Sequence, residues 1–79
     1  MAFGDDDAAE SYLKKALSIN PEGLETNYYY GNFLADQDQA EQALSYLKKA
    51  INAPIRPEQV FSDTQMQNEA KLALKKLAP

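Results

Sequence analysis

Cysteine, histidine and tryptophan are all missing from this 79-residue chain. Without cysteine, no disulfide can staple a domain this short and no thiol can act as nucleophile or redox centre. Without histidine, no His-based catalytic triad can be built. Neither absence fixes a compartment. Long apolar runs are missing too: no stretch approaches the roughly 18 residues that a membrane span needs. The opening Met1–Asp7 has neither a basic segment nor an apolar one, so no signal peptide is expected there. Basic residues are the minority, 8 against 12 acidic, for a net charge of −4. That balance argues against a nucleic-acid backbone or an anionic membrane surface as partner, since both need basic patches.

What is present is helix-forming sequence. Glycine is low at 3 and β-branched residues are few, which predicts one small all-α domain of about four helices with a thin core. Residues 1–4 are expected to be a ragged, disordered start. A helix follows over 5–20, with Ala9, Leu13, Ala16 and Leu17 on one face and Tyr12 alongside, starting either at a capping box of Asp7 and Glu10 or two or three residues earlier. Pro21 stops it, because the ring removes an N–H and restricts Asn20. A second helix is expected from Glu22–Leu24 to Asp36. Asp38 is expected to cap a third, from Gln39 to about Asn52, with Glu41 completing its box. Pro54 and Pro57 favour extended chain, so 55–61 reads as a linker. Ser62 and Gln65 fit the start of a fourth helix over 62–79, with Gln65, Gln67, Asn68 and Glu69 facing outward.

One segment occurs twice. Ser45–Ala50 repeats Ser11–Ala16 residue for residue, 34 positions later. Around it the small and aromatic residues recur. One unit reads Tyr30-Gly31-x-x-Leu34, then Ala43-x-x-x-Leu47-x-x-Ala50. The half unit before it reads Ala9-x-x-x-Leu13-x-x-Ala16, then Pro21. Gly31 and Ala43 lack bulk where antiparallel helices of a hairpin would cross. This pattern resembles the tetratricopeptide repeat over residues 6–54. The resemblance implies an α–α superhelix: the second helix of a partial repeat at 5–20, a full repeat at 21–54, and a C-terminal capping helix. Three places depart from it. Asn27 stands where the family often has Trp, Pro54 comes one residue early, and the fourth helix lacks the small-residue spacing.

Catalytic material is sparse, so no enzyme activity and no cofactor is expected. Asp5–Asp7 and Asp36-x-Asp38 read as helix caps. A calcium loop would need a Gly and more acids after Asp38, where Gln39 stands, so no metal site is expected. The Lys pairs at 14–15, 48–49 and 75–76 fall in last turns, where they complement helix dipoles.

The resemblance implies a protein–protein interaction module whose concave face would carry Glu25, Tyr28, Asn32, Ala35 and Asp36. Their spacing of three and four puts them on one helix face. Of the three consecutive tyrosines, Tyr30 is expected in the core, Tyr29 at a helix seam, and Tyr28 in the groove. Gly31-Asn32 resembles the Gly-Asn pair of repeats that clamp a peptide carboxylate, but Tyr28 replaces the lysine of that clamp. An extended peptide or protein segment, neutral or basic, is therefore the expected partner. A second reading is structural: a fragment of a longer array, or a unit that homo-oligomerises through its uncovered first helix.

Overall fold

Four helices and one short turn of 3₁₀ helix make up residues 5–78, the part of the chain that the computed structural model describes. They are α1 (Asp5–Ile19), α2 (Leu24–Asp36), α3 (Ala40–Asn52) and α4 (Val60–Leu77), with the 3₁₀ turn at Pro57–Gln59. The expected disordered start at 1–4 lies outside the described residues.

The turns follow from local chemistry. After α1, the Gly23 N–H donates to the Asn20 carbonyl at 3.1 Å, folding the chain tightly over Pro21. A Cβ on Gly23 would crowd the Asn20 side chain, which is exposed and can turn aside. Asn27, one turn into α2, is fully buried. Its amide donates to the Pro21 and Gly23 carbonyls at 3.0 and 2.7 Å, tying the turn to the helix it precedes.

Asp38 corrects the expected cap. It sits at φ 60°, in the left-handed region. The Gln39 N–H donates to the Leu34 carbonyl at 2.9 Å, and the Asp38 N–H to that of Ala35 at 3.2 Å. These are the two bonds of a Schellman motif, so Asp38 closes α2 rather than opening α3. Gln39 precedes α3 and makes no side-chain cap bond. Of the two starts open for α1, the earlier holds: the helix begins at Asp5, and Asp7 lies inside it.

The fourth helix also starts earlier than Ser62. Pro57 leads a 3₁₀ turn that runs straight into α4 at Val60. Proline suits this place because a first helical turn does not use its N–H. Ser62 therefore lies within the helix. Gln67 does not face outward: its amide donates to the Ala50, Ile51 and Ala53 carbonyls at 3.3, 2.9 and 3.0 Å. It thus serves carbonyls at the end of α3, where the helix supplies few donors of its own.

The core is built on the α2–α3 hairpin. Tyr30, Leu34 and Ala43 form one buried cluster, joined by Leu13 and Leu17 of α1. Leu47, Ala50 and Ala70 form a second, joined by Tyr28, Ala73 and Leu74. Leu77 touches both clusters. Gly31 lets the two helices close: a Cβ there would meet Leu47 Cγ at 2.8 Å. The order of these contacts runs α4 antiparallel to α3, so that α4 lies beside α2 as well. On the other side α1 packs on α2, and among the described residues no α1 Cα comes within 8 Å of one in α3 or α4.

Candidate functional site

The proposed groove residues occupy one side of α2, and α4 forms the neighbouring wall. Tyr28 is half-buried, with its ring against the Leu47–Ala50–Ala70 cluster. Its hydroxyl donates to Glu69 Oε1 at 2.9 Å. Burial pushes the phenol's pKa up; the Asn32 amide opposes that shift and the Glu69 carboxylate adds to it. Tyr28, Asn32 and Glu69 therefore form one polar cluster on the wall between α2 and α4. Glu69, read from sequence as merely outward, is the member that sequence reasoning missed. Only the packing of α4 beside α2 brings it there.

The other expected groove residues are more scattered. Ala35 is half-buried and packs against the Tyr30–Leu34–Ala43 cluster, so it offers little free surface. Asp36 is exposed at the end of α2. Glu25 is exposed at the start, with its carboxylate 3.9 Å from Arg56 Nη1. Thus one end of the helix presents Glu25, the middle presents Tyr28 and Asn32, and the far end presents Asp36. Tyr30 is buried as expected, with Tyr46 edge-on at 4.7 Å between ring centroids. Tyr29 is exposed and lies 5.5 Å from Tyr28, ring to ring.

A second polar centre lies beyond Glu25, and no motif announced it. Asp63 is fully buried in the first turn of α4. It accepts from the Arg56 backbone N–H at 3.0 Å, from Arg56 Nε at 3.0 Å and from Nη2 at 2.7 Å. The side-chain hydrogen bonds from Arg56, then the backbone one, hold its carboxyl at about 2. The same pairing raises the Arg56 pKa. This lock folds Pro54–Pro57 back against the first turn of α2. Between the two segments is a cleft of about 360 Å³ lined by Glu22, Leu24, Glu25, Pro54, Ile55 and Pro57 among others.

Among the described residues no group of three or more acidic side chains could hold a metal ion. No described helix is long and apolar enough to cross a membrane.

Comparison with known families gives a match to the tetratricopeptide repeat, over residues 1–54. No curated protein and no solved structure matches the chain. Members of that family are generally protein–protein interaction modules and typically non-enzymatic scaffolds.

Proposed function

Because this chain belongs to the tetratricopeptide repeat family, we propose that it binds an extended, neutral or basic peptide segment along the α2–α4 side. The observation that carries this reading is the polar cluster of Tyr28, Asn32 and Glu69, set between exposed acids at both ends of α2. An Asn amide offers both a donor and an acceptor to a passing peptide backbone. Glu25, Asp36 and Glu69 favour a cationic side chain over an anionic one. The lysine pairs at 48–49 and 75–76 lie on α3 and α4, outside this set of residues.

The test must respect packing. Tyr28→Ala would open a hole beside Leu47 and Ala70, so it would report on stability as well as binding. Asn32→Ala combined with Asp36→Lys avoids that problem. A display library of random extended peptides, selected on the natural protein, supplies the probe. Selected sequences should be neutral or basic. The double variant should bind them at least tenfold more weakly, with an unchanged melting curve. Selection of acidic peptides, or equal affinity in the variant, would remove this reading.

The division into a partial repeat at 5–20, a full repeat at 21–54 and a capping helix is part of the same proposal. So is the second, structural role. That role draws its support from α1, whose Tyr12 and Ile19 are 73% and 76% exposed.

A further inference from the structure

Tyr12 and Tyr46 are the same residue in the two copies of Ser-Tyr-Leu-Lys-Lys-Ala, yet their surroundings differ. Tyr46 packs edge-on against Tyr30 of its hairpin partner helix α2. Tyr12 has no such helix beside it among the described residues and is 73% exposed. Beside it a cleft of about 220 Å³ runs between α1 and α2, lined by Tyr12, Ala16, Thr26 and Tyr29 among others. The repeat thus specifies what would cover this flank: a helix antiparallel to α1 that also touches α2.

A helix with a matching free face exists in the same molecule. On α4, the side turned away from the core carries Phe61, Gln65, Asn68 and Leu72, with Phe61 81% and Leu72 61% exposed. On α1 the free flank carries Ala8, Tyr12, Lys15 and Ile19. Both rows step by four, three and four residues, a spacing that reads the same in either direction. Laid antiparallel, Phe61 falls opposite Ile19, and Leu72, about three turns on, falls opposite Ala8. The charges agree with that direction. Lys75 and Lys76 at the end of α4 are exposed and have no ion-pair partner among the described residues. In this alignment they reach the first turn of α1, where Asp7 is exposed. Opposite charges at those ends also hold the direction antiparallel.

We propose that the outer face of α4 in one copy docks on the free flank of α1 in a second copy, completing a helical hairpin between molecules. The contact is heterologous, one face meeting a different one. Repetition therefore builds chains or rings rather than a closed two-fold dimer. A single helix-on-helix seam lies at the small end of specific interfaces, so association is weak and concentration-dependent.

Sedimentation velocity on the natural protein tests this between about 10 μM and 1 mM, a range set by so small an interface. The expected result is a mean mass that rises with concentration from 8.8 kDa past the dimer, and falls back when salt screens the charged ends. Tyr12→Asp and Phe61→Asp alter exposed residues, so both variants should melt like the natural protein. Each alone should be monomeric. Mixed in equal amounts, they should form a one-to-one dimer and nothing larger, because the mixture keeps one intact α4 face and one intact α1 flank. A monomer at every concentration overturns the proposal. So does self-association of Phe61→Asp alone, which would mean α1 pairing with α1, or a mixture that stays monomeric.

Discussion

At the scale of single residues, buried polar side chains do more here than the sequence suggested. Asp63 lay among Ser62 and Thr64, where any of the three reads as a surface cap. Its burial depends on Arg56 folding back across a proline-flanked segment, and no local pattern encodes that. The consequence is a defined pH dependence. The carboxyl is held at about 2 in the folded chain, below the roughly 4 of an unfolded aspartate. A depressed folded pKa contributes stability that is complete above the unfolded value and is lost as pH falls through the folded one. Asp63→Asn should therefore melt lower than the natural protein at neutral pH, and the gap should narrow steadily from about pH 4 toward pH 2. A gap that stays constant across that range would show that Arg56 does not act through the Asp63 charge. Asn27 tells a similar story. It was legible only as a departure from the family's aromatic, and its use as a tie to the Pro21 and Gly23 carbonyls came from the folded turn.

At the scale of elements, the sequence was readable wherever periodicity and small residues set the packing. Helices 1 to 3 follow from the apolar stripes and Pro21, and the α2–α3 crossing follows from Gly31 and Ala43. Gly31→Ala sets two effects against each other. Alanine favours a helix over glycine by about 1 kcal/mol, while overpacking a closed interface costs about 1–3 kcal/mol. The new methyl would meet Leu47 at its branch carbon, 2.8 Å away, and at its backbone nitrogen, 3.3 Å away. Neither atom can swing aside as a chain end would. The clash should win, lowering the melting temperature by roughly 4–8 °C per kcal/mol lost. A melting temperature equal to or above the natural one would mean that the helices can part there without cost. Helix ends were less legible. Asp38 was read as a start because it is a good cap residue followed by Glu41. The Schellman bonds made it an end instead, since the tight turn requires one residue at positive φ. The start of α4 was the least legible part of that helix. From Ala70 on an apolar stripe marks it, as Ala70, Ala73, Leu74 and Leu77 pack inward, but ahead of that its inward face holds Asp63 and Gln67.

At the scale of the whole molecule, the groove residues Asn32 and Asp36 stand apart from the assembly residues Tyr12 and Phe61, although Glu25 lines the α1–α2 cleft beside Tyr12 and Glu69 lines a surface pocket with Phe61. Asn32 and Asp36 are on α2, while Tyr12 and Phe61 are on α1 and α4. The two activities should then separate. Phe61→Asp should keep the affinity for selected peptides, and the Asn32→Ala, Asp36→Lys variant should keep the sedimentation profile. Loss of both properties in either variant would mean that peptide and second copy compete for one surface. The family and its helical order were visible in the 34-residue offset. The candidate site was only half visible: spacing put Tyr28 and Asn32 together, but Glu69 arrives from a helix that does not follow the repeat.

The hydrogen bond from Tyr28 to Glu69 links residues 41 apart, whereas the next longest side-chain bond spans 17. The hairpins between successive helices bring together residues closer in sequence, and such contacts require less loop closure and form more quickly. The Tyr28–Glu69 contact cannot form until α3 has folded back on α2 and α4 has folded back on α3. It is therefore a marker of one part of the fold: a chain in which Tyr28 has found Glu69 has α2, α3 and α4 in place, whatever the state of α1.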